Sequence, residues 1–143
     1  MRRDTLRALV GVGLVALVSG AATVWWETPE LHVQTRDGRT VAHMEVLGEY
    51  PADITSISIG APAREGPLWQ VVADDGMAQV HQVGLSAGAD PVDVKVYHGR
   101  LTRTVPPAGS MFMLEAGVDY TIKVCSADFL RLCRTASFRL PRR

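Results

Sequence analysis

The stretch Leu114–Leu140, LEAGVDYTIKVCSADFLRLCRTASFRL, contains both cysteines of the chain, and its reading decides the fold. Tyr120, Ile122 and Val124 alternate with Thr121, Lys123 and Cys125, the two-residue period of a half-buried strand. Beyond the segment SADFLRL, Ala136, Phe138 and Leu140 alternate in the same way with Cys133, Thr135 and Ser137. Setting Cys125 opposite Cys133 pairs Lys123 with Thr135 and Thr121 with Ser137 on a polar side. The same register pairs Ile122 with Ala136 and Tyr120 with Phe138 on an apolar side. A displacement of one residue would set polar against apolar throughout. Val124 opposite Arg134 is the one mismatch, tolerable near the end of a hairpin.

Cysteines directly opposed on antiparallel strands lie within bonding reach, and an oxidising compartment would join them. Other uses of the pair fit less well. A redox couple normally sits closer, as Cys-x-x-Cys. Zinc needs two further ligands, and His32, His43, His81 and His98 stand singly. A structural disulfide is therefore expected, contributing about 2–3 kcal/mol by shortening the unfolded chain's reach. The strapped loop presents Phe129 and Leu130 beside Asp128 and Arg131, either to cap the domain or to meet a partner.

Upstream, short apolar-alternating runs recur between Gly, Pro and Asp clusters, with almost no helical periodicity. Leu31 to Leu47 reads as a hairpin about Asp37-Gly38. Ile57 and Ile59 share one face of a strand that ends at Gly60. A second hairpin is predicted about Asp75-Gly76, with Val71 facing Val80. Val92, Val94 and Val96 mark another strand. HGRLTRTVPPAG, residues 98–109, carries no clear pattern, and Pro106-Pro107 is hostile to a central strand. Together these runs predict an all-β, immunoglobulin-like sandwich of about seven or eight antiparallel strands.

Leu114-x-x-Gly117-x-x-Tyr120-x-Ile122-x-Val124 resembles the tyrosine corner of fibronectin type III and related immunoglobulin-like domains. The resemblance spans about 25 residues, the corner and the two strands after it. It implies that Gly117 turns the chain between sheets and that the Tyr120 hydroxyl bonds back to the corner backbone. Trp69 resembles the core tryptophan that such sandwiches carry on an early strand. The pattern departs from antibody domains, because Cys125 follows the tyrosine by five residues and no cysteine precedes it. A core disulfide between sheets is thereby excluded. The architecture serves many functions, so the resemblance implies fold and not activity.

The chain opens with Arg2, Arg3 and Arg7, followed by a run from Ala8 to Trp26 without a charged residue. A basic head before an apolar stretch is an export signal, its basic end held in the cytoplasm. Two fates fit residues 1–26. The run is just long enough to be a transmembrane helix, with Trp25 and Trp26 at the far interface. Alternatively, Ser19-Gly20-Ala21 offers a signal-peptidase site. Tryptophans just past a cleavage point favour the retained anchor. Ala21 stands where a lipoprotein signal requires cysteine, which excludes lipid attachment there.

Residues 27–143 then amount to one domain. Without Arg2, Arg3, Arg7 and Asp4, twelve basic and fourteen acidic residues remain. So weak and mixed a charge argues against nucleic acid as a partner. Arginine outnumbers lysine thirteen to two, which reads as the bias of a GC-rich bacterial genome.

No Gly-x-Ser-x-Gly, phosphate-binding glycine loop or His-Glu-x-x-His occurs. His43-x-Glu45 puts an imidazole and a carboxylate on one strand face, a metal pair in form but more often a solvated surface. From Lys123 onward six basic residues, including Arg131, Arg134 and Arg139, face one acidic residue. The sequence thus leads us to expect a non-catalytic extracytoplasmic module of a bacterial envelope, without cofactor, binding another envelope protein or polymer. It would also contact the membrane if the leader is uncleaved. The contact residues expected are Phe129, Leu130, Arg131, Arg134 and Arg139. The alternatives are an accessory subunit of a larger envelope complex and a metal-dependent enzyme using His43, Glu45 and another histidine.

Overall fold

The computed structural model describes residues 29–46, 48–127 and 131–142. The leader with its expected helix, and the loop residues Phe129 and Leu130, lie outside the described residues. Within them the chain is all-β and antiparallel. The elements are β1 (Glu30–Arg36), β2 (Arg39–Glu45), β3 (Ala52–Gly60), β4 (Trp69–Ala73), β5 (Ala78–Leu85), β6 (Gly88–Ala89), β7 (Val92–His98), β8 (Leu101–Val105), β9 (Met113–Leu114), β10 (Asp119–Ser126) and β11 (Cys133–Arg139). Among the described residues no helix is long and apolar enough to cross a membrane.

A nine-stranded sheet runs β1-β2-β5-β3-β10-β11, with β7 beside β5 and β4 then β8 beside β3; β6 and β9 pair separately. The opening hairpin forms as its turn residues dictate. Asp37 and Gly38 both take positive φ, 53° and 74°, as a two-residue hairpin turn of matching twist requires.

The sheet folds over a single core because two strands change partners midway. One side of β3 pairs with β10. Its other side meets β5 through Ala52–Ile54 and then β4 through Ser56–Ile59. At that change the β3–β10 register slips between Cys125 and Ser126. The buried positions shift with it, from Ala52 and Ile54 to Ile57 and Ile59. One extra residue thus bends the strand while keeping its apolar side chains inside. β5 repeats the device: Ala78–Val80 pair with β3 and Val83–Leu85 with β2, the buried parity changing at His81-Gln82.

Asp75-Gly76 is not the turn of a hairpin, contrary to the sequence expectation. β4 pairs with β8 and β5 with β7, so Val71 meets Ile57 and Arg103 while Val80 meets Ala52 and Val96. β4–β5 and β7–β8 are the two arms of one long hairpin, bent where residues 74–77 pass residues 99–100. The Asp74 N–H donates to the Arg100 carbonyl at 3.1 Å across that bend. The patternless stretch 98–109 therefore contains strand β8. Its alternation is obscured because Leu101, Arg103 and Val105 are only half-buried.

The corner is held by two hydrogen bonds. The Glu115 N–H donates to the Tyr120 hydroxyl at 3.0 Å, and the Gly117 N–H donates to the Leu140 carbonyl at 2.9 Å. Gly117 has φ 77°, in the left-handed region that favours glycine, while the Arg142 guanidinium that a Cβ there would meet is the exposed end of a flexible side chain. Leu114, Tyr120 and Trp69 are buried in one cluster with Ile57, Ile59, Ile122, Val124 and Phe138. Burying each such large apolar side chain contributes about 1.5–3 kcal/mol.

Candidate functional site

β10 and β11 pair in the register read from the sequence, from Asp119↔Arg139 through Tyr120↔Phe138 and Lys123↔Thr135 to Cys125↔Cys133. Cys125 and Cys133 are disulfide-bonded, with Cα atoms 3.9 Å apart. The strap closes the hairpin from its outer side. Beneath it the buried Ser126 hydroxyl donates to the Leu132 carbonyl at 3.1 Å, fixing where the loop leaves the strand.

Pairing on both sides of β10 organises the outer face of this half of the sheet. Lys123 stands between Thr135 of β11 and Ser58 of β3, and Ser58 is followed by Gln70 of β4. Four strands thus present one continuous row, Thr135–Lys123–Ser58–Gln70. A neighbouring row runs Ser137–Thr121–Gly60. The loop after Gly60 rises beside them and makes an open groove lined by Ser58, Arg64, Gln70, Thr121, Lys123 and Thr135, among others. Gly60 keeps it open, since a Cβ there would come within 3.3 Å of Thr121 Oγ1. Its lining carries the cations Arg64 and Lys123, the hydroxyls of Thr121, Thr135 and Ser58, and no carboxylate. Chemically it offers hydroxyl and amide hydrogen bonds around two exposed positive charges.

The arginines expected as contacts do not line this groove. Arg139 makes a paired contact with Asp119, Nε to Oδ1 at 2.7 Å and a terminal nitrogen to Oδ2 at 2.6 Å. That hydrogen-bonded guanidinium holds the Asp119 carboxyl below its ordinary pKa. Arg134 donates from Nε to the Pro29 carbonyl at 2.8 Å, tying β11 to the start of β1. Arg131 is exposed with φ 47°. Two of the three thus make contacts within the domain, Arg139 while well exposed, and Arg64 and Lys123 place two further cations on the β3–β10 groove.

The outer face of β1 and β2 holds a second cluster. Glu30 pairs with Glu45 and His32 with His43. His32 Nε2 lies 3.3 Å from Glu30 Oε2 and 4.0 Å from Glu45 Oε2. The His32 and His43 ring centroids are 5.1 Å apart, and Tyr50 follows 5.5 Å from His43 and 4.4 Å from His81. Burial first, then the neighbouring His32, lowers the His43 pKa, partly offset by Glu45. A small void there is lined mostly by apolar side chains, among them Leu31, Ala42, Met44, Ile54 and Val80, together with His43, His81 and Gln82.

Sequence reading found the His43–Glu45 face but not its partners. The signal was available: with Asp37-Gly38 as a two-residue turn, Arg36 must face Arg39, which puts His32 opposite His43. The groove had no such local signal, because Ser58 and Gln70 reach Lys123 only through non-local pairing. In comparisons with known proteins, no family model and no curated protein matches the chain.

Proposed function

We propose that residues 27–143 form an immunoglobulin-like domain of the fibronectin type III kind, exported behind its leader, which binds an anionic polymer of the bacterial envelope without catalysis. The fold assignment is supported by the corner hydrogen bond from Glu115 to Tyr120, the buried Trp69 and the strand pairing. The compartment is supported by the Cys125–Cys133 disulfide, since a cytosolic thiol pair is normally kept reduced.

One observation carries the binding assignment: the groove crossing β10, β3 and β4 sets Lys123 and Arg64 among hydroxyl and amide groups, with no acidic side chain in its lining. A row repeated across four strands suits an extended ligand better than a compact one. Its cations attract phosphate or carboxylate groups, and its neutral donors contact whatever lies between them. Isolating the full-length protein from detergent-solubilised envelope and identifying what stays with it tests this reading. An anionic polymer released by raised salt supports it. A stoichiometric protein companion retained in high salt would instead indicate an accessory subunit.

A further inference from the structure

We infer that the outer face of the β1–β2 hairpin is a divalent transition-metal site built from His32, His43, Glu45 and Glu30, independent of the groove. The argument begins with cross-strand pairing. Glu30 stands directly opposite Glu45, and His32 directly opposite His43, on adjacent rungs of one exposed face. Like charges directly opposed on a sheet destabilise it, and neither carboxylate has a lysine or arginine partner within 4.0 Å among the described residues. Among the described residues the basic side chain recorded against both carboxylates is His32, with His43 beside it and His81 beyond Tyr50, while the Arg134 guanidinium, near Glu30, is engaged by the Pro29 carbonyl. The hairpin thus gathers two imidazoles and two carboxylates on one face, donor types that together can bind a divalent cation.

The spacing fits a metal ion. Ligands about 2.0–2.1 Å from a tetrahedral ion lie about 3.3–3.4 Å from one another. His32 Nε2 and Glu30 Oε2 are 3.3 Å apart, and Glu45 Oε2 at 4.0 Å from the same nitrogen needs only a small side-chain rotation to join them. As the side chains stand, no group of three His, Cys, Asp or Glu among the described residues could hold an ion, so binding requires these side chains to rotate together. The partial exposure of all these side chains leaves both room for that motion and a path for the ion. Two imidazoles with carboxylates select zinc, nickel or copper over calcium or magnesium. The rigid hairpin supplies what a loop would not, because the Asp37-Gly38 turn fixes the register and with it all four positions.

The test is calorimetric titration of Zn²⁺ into untagged, full-length protein in detergent, alongside His32→Ala, Glu45→Gln and His98→Ala, with circular dichroism to verify folding. His98 lies on β7, outside the array, and controls for adventitious histidine binding. The expected result is one saturable site, weakened about tenfold or more by His32→Ala and by Glu45→Gln and unchanged by His98→Ala. Ca²⁺ should show no saturable binding. Absence of saturable Zn²⁺ binding by the parent protein, or equal binding by a folded His32→Ala variant, would overturn the assignment.

Discussion

The Tyr120 hydroxyl accepts a hydrogen bond from the Glu115 N–H, 3.0 Å away across the corner that leads into β10. Five residues of chain are thereby closed into a fixed turn whose other anchor is Gly117 on the Leu140 carbonyl. Tyr120→Phe keeps the buried ring against Phe138, 5.7 Å away between centroids, and removes only the acceptor. The expected loss is about 1 kcal/mol, or roughly 3–5 °C in Tm for a domain of this size. Thermal melts of the two proteins by circular dichroism measure it.

The Cys125–Cys133 bond closes a sequence separation of 8. Replacing both cysteines by serine should lower unfolding free energy by about 2–3 kcal/mol, with the fold retained. Denaturant titrations of the parent with and without reductant, and of the double variant, should place the last two together. Because Cys125 and Cys133 face outward while Ile122, Val124 and Phe138 supply the core, the variant should keep its strand spectrum.

Asp119 is held below the ordinary carboxylate pKa, chiefly by its hydrogen bond from Arg139. The folded state thus favours the ionised form. Its contribution to stability is fully present above the unfolded carboxylate value and is lost as pH falls through the lower folded value. Both side chains are well exposed, so the effect on stability is small. NMR titration is the sensitive readout: Asp119 should titrate below the usual aspartate range, and Arg139→Gln should return it there.

The closing hairpin was legible because its two strands are neighbours in sequence, with alternation on both arms that permits one register. The same logic failed between Trp69 and Leu85. Asp75-Gly76 has good turn chemistry and apolar residues on both sides, yet the chain bends there without reversing, since β4 and β5 pair with β2 and β3 before them and with β7 and β8 after residue 91, and not with each other. Local patterning cannot distinguish a hairpin turn from a bend shared by two long arms. The bulges at Thr55-Ser56 and His81-Gln82 were hidden for a related reason: each is defined by where a strand changes neighbours. The groove inherits that difficulty, for Lys123, Ser58 and Gln70 are brought together only by non-local pairing.

The ligand-binding account is tested most directly by measuring full-length protein on isolated anionic envelope polymer, comparing the parent with Lys123→Glu. Lys123 is exposed and lies away from the core, so the folded domain should tolerate the change. The account predicts saturable binding by the parent, weakened by salt, and a loss of about tenfold or more in the variant. Equal binding by a folded Lys123→Glu protein would contradict it.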